Sequence, residues 1–188
     1  SYCSPRCRPA ASSASATTQA GRQIGFRVTL AYVALGSNLG NPKRQVLDAM
    51  DALAKLPATR LLQRSHLYCT PPWGLLEQPP FVNAAVELDT ALSPHALLDA
   101  LLAIEQQAGR VRTERNGPRT LDLDVLHIDG VQLDDERLTL PHPRMAERAF
   151  VLLPLNDVAP ALWLPGQGVV AELLGRLGLA GCERLLAP

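Results

Sequence analysis

Two aspartates in the middle of the chain have the type and spacing that could bind a metal ion. Asp122 and Asp124 alternate with apolar residues in the run LDLDVL, whose leucines and valine are typical of a buried β-strand. Because successive side chains of a strand point to opposite faces, a spacing of two places both carboxylates on one face. Two neighbouring carboxylates resist burial without a cation between them. Mg²⁺ commonly binds one or two carboxylates together with phosphate oxygens and water, so the pair predicts a magnesium site.

Four arginines lie immediately before the aspartates, around the turn-forming pair Gly117-Pro118. They are Arg110, Arg112, Arg115 and Arg119. A planar guanidinium group binds phosphate oxygens through two parallel hydrogen bonds. An arginine-rich loop alone is most often a solvated surface, and two aspartates alone are often an exposed strand face. Their combination in one segment, with apolar residues at the alternate positions, favours a nucleotide-dependent phosphoryl transferase.

The composition is that of one globular domain of ordinary size with an additional segment. Of the 188 residues 47% are hydrophobic and only 4% aromatic, so leucine, valine and alanine must build the core. The formal net charge is zero, which excludes a bulk electrostatic attraction to nucleic acid or to an anionic membrane. No apolar run reaches the ~18 residues of a membrane span. We therefore expect small-molecule substrates, no nucleic acid, no membrane contact and a monomer.

Residues 1–28 differ in composition from the rest of the chain. They are rich in Ser, Ala, Thr and Arg, and the first acidic residue is Asp48. We expect this segment to be a disordered tail and residues 29–188 to form a single domain. A transit peptide has this composition, and a misassigned start site or expression residues explain it equally well, because no methionine precedes Met50. The expected location is the cytoplasm, or an organelle stroma or matrix if the tail is a transit peptide.

The periodicity of apolar residues predicts strands and helices in the order β-α-β-β-α-β. The strands are expected at 28–35, 59–68, 84–90 and around the two aspartates. The helices are expected from Pro42 to about Leu56 and from Pro94 to about Gly109, with Asn41 and Ser93 as N-caps. This order predicts an α+β fold, a ferredoxin-like αβ sandwich with a mainly antiparallel sheet covered by helices. A hairpin at 129–133 and a small helix at 169–177 complete the expectation.

Several polar residues outside the central segment are candidates for binding. Asn83, at the entry to a strand, could bind the edge of a heterocycle, although local backbone hydrogen bonding is the more common role. Glu105 could be a helix-end carboxylate that pairs with an arginine. His142 lies between two prolines, which predicts an extended and exposed position. The turn at 36–40 could bind phosphate through its backbone, but it lacks a Walker lysine and a structural turn is the preferred interpretation.

Five stretches of the chain together resemble the family of 6-hydroxymethyl-7,8-dihydropterin pyrophosphokinases. They are AYVALGSNLG at 31–40, TPP at 70–72, FVNAAV at 81–86, RNGPRTLDLDVL at 115–126 and RLTLPH at 137–142. The resemblance covers residues 29–164 in collinear order. It implies transfer of pyrophosphate from ATP to the hydroxymethyl group of the pterin, with release of AMP, in folate biosynthesis.

The resemblance also implies roles for individual residues. Asp122 and Asp124 would hold two Mg²⁺ ions, and the catalytic set would be Arg110, Arg119, Asp122 and Asp124. The residues implied in binding ATP are Glu105, Arg110, Arg112, Arg115, Arg119, Arg137, Leu138, Thr139, His142 and Arg148. Those implied in binding the pterin are Thr70, Pro71, Pro72, Trp73, Phe81, Asn83, Asp122 and Phe150. Phe81 and Phe150 would stack on the two faces of the pterin ring.

Two other functions are compatible with the predicted fold. A ferredoxin-like RNA-binding module would need a basic sheet with exposed aromatic residues, and the neutral charge and scarce aromatics argue against it. A regulatory metal-binding domain could use Asp122 and Asp124, but it would give the four arginines no role. No histidine is placed as a general base by the sequence, so we expect Asp122 or the metal to take the substrate proton.

Overall fold

The computed structural model describes residues 28–74, 76–109 and 117–186. Their main feature is a six-stranded sheet. It contains β1 (Thr29–Ser37), β2 (Thr59–Arg64), β3 (Tyr68–Thr70), β4 (Phe81–Thr90), β5 (Asp122–Ile128) and β10 (Glu183–Arg184). The helices are α1 (Pro42–Leu53), α2 (Pro94–Gln107), α3 (Ala149–Val158) and α4 (Val170–Leu174). Two small hairpins pair β6 (Leu133–Asp134) with β7 (Thr139–Leu140) and β8 (Trp163–Leu164) with β9 (Gly168–Val169).

The strand order confirms the predicted fold class. β1 lies at the centre between β5 and β4, β2 and β3 both pair with β4, and β10 extends the sheet beyond β3. Every one of these pairings is antiparallel. With β2 and β3 counted as one interrupted strand, the elements follow the predicted order β-α-β-β-α-β, the ferredoxin-like arrangement.

Two hydrophobic layers cover the two faces of the sheet. The alternate residues Ala31, Val33 and Leu35 of β1 pack with the buried residues of α1 and α2. Tyr32, between them, points to the other face and packs with α3 and α4. Burying each large aliphatic side chain in such layers stabilises the fold by about 1.5–3 kcal/mol. Because β5 follows the same alternation, its two aspartates lie on the face that carries α3.

The first two helices begin where the sequence predicts. Asn41 Oδ1 accepts a hydrogen bond of 3.1 Å from the backbone N–H of Arg44, and Pro42 occupies the first helical turn of α1. Ser93 Oγ accepts one of 3.2 Å from Ala96, at the start of α2. These caps satisfy backbone donors that have no partner within a helix. Both helices end two or three residues earlier than expected.

Two expectations about secondary structure were wrong, and one helix was not predicted. The single strand expected at 59–68 is interrupted, because Ser65 Oγ accepts the backbone hydrogen bond of Ala85 and ends the regular pairing of β2. The hairpin expected at 129–133 does not form, because β6 pairs with β7. At the free edge of β5 the carbonyl of Leu126 instead accepts a hydrogen bond of 2.8 Å from the backbone N–H of His142. The apolar run at 149–158, left unassigned by the sequence, forms α3.

No helix in the part of the chain that the structure describes has the length and apolar character needed to cross a lipid bilayer.

Candidate active site

The candidate site lies at one end of the sheet, on the face that carries α3. In the register of the sheet Gly36 on β1 stands opposite Asp122 on β5 and opposite Asn83 on β4. Directly opposed residues of antiparallel strands share a face, so Asp122, Gly36 and Asn83 form one row. Asp124 lies one step further along β5, opposite Ala34. The sheet therefore aligns the predicted metal ligands with a predicted pterin ligand.

Gly36 leaves open space between the two polar ends of this row. A Cβ atom placed on Gly36 would lie 2.9 Å from Asn83 Oδ1, closer than such atoms approach in folded proteins. Asn83 is buried, and its Nδ2 donates a hydrogen bond of 2.7 Å to Thr70 Oγ1. Glycine at this position therefore lets the Asn83 amide lie flat across β1, oriented by Thr70.

The two aspartates form an electrostatically strained pair. Burial, and then the neighbouring charge of Asp122, raise the pKa of the Asp124 carboxyl to about 6, while Arg148 and Arg119 act in the opposite direction. A divalent cation would relieve both penalties, which fits the predicted magnesium site. In the described ranges no three His, Cys, Asp or Glu side chains group closely enough to hold a metal. Mg²⁺ commonly binds one or two carboxylates and completes its coordination with oxygens from a substrate and water, so two carboxylates suffice for the predicted site.

Arg119 is fixed next to this pair by contacts on all sides. Its guanidinium forms an ion pair with Asp122 and lies 5.8 Å from the ring centroid of Phe81. Its backbone N–H donates a hydrogen bond of 2.9 Å to Oδ1 of Asn38, a residue that is 3% exposed. Asn38 Nδ2 in turn donates to Gln78 Oε1 and to the carbonyl of Pro79. Asn38 therefore ties the turn after β1 to both the arginine and the proline-rich loop.

Glu105 braces β5 from the opposite layer. Its side chain is buried on α2, and its Oε1 accepts a hydrogen bond of 2.7 Å from the backbone N–H of Leu123. Leu123 lies between the two aspartates, so this bond fixes the strand at the point where they project. Glu105 also contributes negative charge that raises the pKa of Asp124.

The residues after β7 bring further candidates close to Asp122. His142 is half-buried, and the exposed position predicted from its flanking prolines was wrong, because its backbone N–H docks on β5 at Leu126. Burial and the charge of Arg148 lower the pKa of His142. Its Nδ1 accepts a hydrogen bond of 3.2 Å from the Arg144 N–H, so the neutral ring carries its proton on Nε2. His142 is therefore a hydrogen-bond donor at neutral pH and not a base.

Arg137, Leu138 and Thr139 are engaged within the protein. The Arg137 guanidinium forms an ion pair with Asp99 of α2, and Thr139 Oγ1 donates a hydrogen bond of 3.0 Å to Asp134 Oδ1. The Leu138 side chain packs in the core, which leaves its backbone as the part that could contact a ligand. Arg110, Arg112 and Arg115 lie outside the described residues.

A cavity of about 290 Å³ lies beside the row. It brings together five of the eight pterin candidates with residues from the start of α3 and from the C-terminal segment. Its lining residues are Thr70, Pro71, Pro72, Trp73, Glu147, Ala149, Phe150, Leu177, Gly178, Ala180 and Cys182. Phe81, Asn83 and Asp122 are not among them. Phe150 therefore lines the cavity. Phe81, Asn83 and Asp122 instead lie in the row along the sheet or next to it.

Two contributions to the site were missed by the sequence analysis. Asn38 was assigned to a plain structural turn, yet its side chain positions Arg119. Gly36 was assigned to the same turn, yet it belongs to β1 and makes room for Asn83. The GSN triplet at the end of an apolar strand was the available signal, and only the paired strands reveal what its side chains contact.

Comparison with known proteins agrees with this arrangement. The sequence model described as 7,8-dihydro-6-hydroxymethylpterin-pyrophosphokinase (HPPK) matches residues 32–160. The chain is 49% identical over 158 residues to the 2-amino-4-hydroxy-6-hydroxymethyldihydropteridine pyrophosphokinase of Methylorubrum extorquens, covering 84% of this chain and 99% of the relative. It is 53% identical over 154 residues to the protein of that name from Pseudomonas aeruginosa, covering 82% and 95%.

Solved structures support the fold. A crystal structure of wild-type Plasmodium falciparum HPPK-DHPS with pteroate superposes with a TM-score of 0.64 at 14% identity, covering 80% of this chain and 42% of that chain. At this identity the likeness shows the fold alone, and this chain spans less than half the length of that protein. The sequence match extends over most of the described domain, and two relatives are about half identical. The chain therefore belongs to the 7,8-dihydro-6-hydroxymethylpterin-pyrophosphokinase family.

Proposed function

We propose that this protein transfers pyrophosphate from ATP to the hydroxymethyl group of 6-hydroxymethyl-7,8-dihydropterin and releases AMP, as a step of folate biosynthesis. Family membership supports the reaction. The structural observation that carries it is the row of Asp122, Gly36 and Asn83 across three strands. At the usual strand spacing the backbones of Asp122 and Asn83 are about 10 Å apart. This separation suits a heterocycle held at Asn83 whose side group reaches phosphates held at Asp122.

Asp122 and Asp124 are the proposed ligands of Mg²⁺, two ions by the family resemblance. These carboxylates would hold the ion, and a bound Mg²⁺ would supply charge neutralisation for the phosphates and a lower pKa of the attacking hydroxyl. The burial of Asp124 beside the charge of Asp122 supports this assignment, because both raise the energy of the metal-free carboxylates. Glu105 acts indirectly, by holding the strand between the two ligands.

Arg119 and Arg148 are the proposed partners of the transferred pyrophosphate among the described residues. Phosphoryl transfer depends on positioning and charge stabilisation more than on covalent catalysis. Arg119 is already held by Asn38 and Phe81, so little conformational freedom is lost when phosphate binds. Asp122 and Asp124 attract Arg148 electrostatically, which places its charge at the same end of the sheet. The proposed ATP site further includes Arg110, Arg112 and Arg115, with Arg137, Leu138, Thr139 and His142, while Glu105 belongs to it through the strand that it holds.

The pterin site is proposed between the row and the cavity. The Asn83 amide, oriented by Thr70, would recognise the polar edge of the ring. Phe81 and Phe150 would stack on its faces, and Pro71, Pro72 and Trp73 would exclude water. Asp122 is the proposed acceptor of the hydroxyl proton, because the tautomer of neutral His142 makes that residue a donor.

Residues 29–188 are proposed to act as a single domain and as a monomer. The same sheet contains β1, which begins at Thr29, and β10, which ends at Arg184, so these two segments belong to one folded unit.

AMP release from ATP, with and without 6-hydroxymethyl-7,8-dihydropterin and Mg²⁺, tests the proposed function. We expect release that requires both, and loss of turnover in Asp122→Asn and Asp124→Asn with unchanged folding. Asp48→Asn, which alters an exposed carboxylate paired with Arg44, is the matched control and should retain activity. Full turnover in either site variant, or AMP release without the pterin, would contradict the assignment.

A further inference from the structure

Two cationic side chains lie over the indole ring of Trp73. The guanidinium carbon of Arg144 is 4.8 Å and that of Arg148 is 5.2 Å from the ring centroid. Both distances are within the range of attractive cation–π contacts. The Arg144 contact is the shortest of the four such contacts among the described residues, the others being those of Arg148 with Trp73 and Phe150 and of Arg119 with Phe81.

The two arginines differ in what else they contact. Arg148 also lies 5.7 Å from the Phe150 centroid and is attracted by Asp124 and Asp122, so it connects the aromatic wall with the acidic pair. The Arg144 side chain has no hydrogen-bond or ion-pair partner within residues 28–74, 76–109 and 117–186, and its cation–π contact there is with the Trp73 ring. Arg144 thus interacts with the Trp73 ring, whereas Arg148 interacts with Trp73, Phe150 and the two aspartates.

Arg144 connects Trp73 to β5, the edge strand that carries the two aspartates. The Arg144 backbone N–H is fixed by His142 Nδ1, and His142 is docked on β5 through Leu126. Trp73 itself is 39% exposed, and no other described aromatic ring stacks on it. Through Arg144 it gains a fixed position relative to the strand that carries the aspartates.

We propose that Arg144 is a positioning residue that holds the Trp73 indole in place as a wall of the pterin cavity and thereby sets the affinity for the pterin. The inference rests on the proposed function for the identity of the ligand. Trp73 and Phe150 both line the cavity. Trp73 contacts both Arg144 and Arg148, and Phe150 contacts Arg148. This cation–π contact between Arg144 and Trp73 forms a clasp across the cavity wall.

The alternative role for Arg144 is direct binding of ATP phosphates. The proximity of two guanidinium groups could serve an anion, since the charge of Arg144 lowers the pKa of Arg148. The clasp is favoured because Arg144 lies over the indole, while the carboxylates that mark the phosphate end act on Arg148. The two roles predict losses of affinity for different substrates.

The clasp can be tested without any ligand by tryptophan fluorescence. The chain contains two tryptophans, and Trp163 is exposed on β8 and is not among the residues proposed for the site, so Trp163→Phe leaves Trp73 as the single reporter. In this background Arg144→Ala should shift the Trp73 emission and increase its quenching by acrylamide. Arg144→Lys should restore part of the effect, because it keeps a cation. Unchanged Trp73 emission in Arg144→Ala would overturn the proposal.

Calorimetric titration with 6-hydroxymethylpterin, and separately with ATP and Mg²⁺, tests the consequence. Arg144→Ala should raise the Kd for the pterin by about two- to five-fold, the range of a partly exposed cation–π contact, and leave that for ATP unchanged. In a Trp73→Leu background the Arg144 substitution should have no further effect. Arg176→Ala, which removes an exposed arginine that pairs with Glu172 and is not among the cavity-lining residues, is the matched control.

The outcomes separate the two proposals. An equal or larger loss of ATP affinity in Arg144→Ala would make Arg144 a phosphate ligand and overturn the clasp. If the unsubstituted protein fails to bind the pterin, the proposed function and the role in affinity both fall, and the ligand-free emission still decides whether Arg144 holds Trp73.

Discussion

Asn38 and Arg119 hold each other through a reciprocal pair of hydrogen bonds although they are 81 residues apart. The Arg119 backbone N–H donates to Asn38 Oδ1 at 2.9 Å, and the Asn38 backbone N–H donates to the Arg119 carbonyl at 3.1 Å. The Asn38 amide also donates to Gln78 Oε1 and to the Pro79 carbonyl. One buried side chain therefore sets the relative position of the arginine beside Asp122 and the loop that bears Trp73.

Asn38→Ala should impair both stability and turnover. The substitution removes three side-chain hydrogen bonds of a buried residue, so the free energy of unfolding should fall by about 1–3 kcal/mol. Because Arg119 loses its anchor, kcat/KM for the pyrophosphokinase reaction should fall further than this loss of stability explains. Denaturant unfolding and steady-state kinetics measure the two effects.

Asn41→Ala is the matched control for this substitution. It removes the capping bond of α1, which costs about 1 kcal/mol, at a position three residues away that does not contact Arg119. Equal kcat/KM in the two variants would show that Asn38 serves stability alone.

Gly36→Ala should reduce affinity for the pterin more than affinity for ATP. The added methyl group would lie 2.9 Å from Asn83 Oδ1, so the amide has to rotate away from its Thr70 partner. Overpacking of this kind costs about 1–3 kcal/mol, and a tenfold rise in KM for the pterin is the expected scale. Gly175→Ala, where the nearest atoms are at an ordinary 3.5 Å, controls for the general effect of alanine. A larger rise in KM for ATP would refute the role assigned to Gly36.

Local signals in the sequence were sufficient for several features of the site. Helix caps followed by proline at Asn41 and Ser93 predicted where α1 and α2 begin, because a short-range hydrogen bond decides each start. The two-residue spacing of Asp122 and Asp124 predicted their common face, because side chains alternate between the two faces of a strand. The position of Asp122 opposite Gly36 could not be predicted, since it depends on which strands pair.

Features decided by contacts between distant segments were the ones missed. α3 is apolar on nearly all sides, so its sequence has no clear periodicity, and burial against β4 and α4 defines it as a helix. The hairpin at 129–133 failed because the docking of His142 provides β5 with another partner for its backbone. The contacts of Asn38 with Arg119 and of Arg144 with Trp73 likewise join segments that only the fold brings together.

Phe150→Ala should weaken binding of the pterin and spare binding of ATP. Phe150 lines the cavity and contacts Arg148, so its loss removes a stacking surface worth about 0.5–1.5 kcal/mol and enlarges the cavity. Calorimetric titration should therefore show a Kd for the pterin raised about tenfold or less. Equal losses for the two substrates would mean that Phe150 supports the fold or Arg148, and the stacking role would have to be abandoned.

A buried histidine, His127, lies toward the opposite end of the same sheet face. His127 is 4% exposed, stacks on Tyr32 with ring centroids 6.2 Å apart, and has a buried Nδ1 without a partner among the described residues. Burial lowers the pKa of His127, and the nearby Asp129 offsets only part of that effect. The folded protein therefore disfavours the protonated ring.

The consequence is a loss of stability at acidic pH that His127→Phe should reduce. Above the unfolded pKa of about 6.5 the ring is neutral in both states and contributes no pH dependence. As the pH falls below that value the unfolded chain binds the proton first, so stability declines until the folded pKa is reached, by at most about 1.4 kcal/mol per pH unit.

Phenylalanine keeps the stacking on Tyr32 and cannot titrate. Urea unfolding between pH 5 and pH 7 should thus show a shallower slope for the variant, with the difference between the proteins constant from about pH 7.5 upward. His142, whose pKa is also lowered, is present in both proteins and cancels in the comparison, so identical slopes would refute the role of His127.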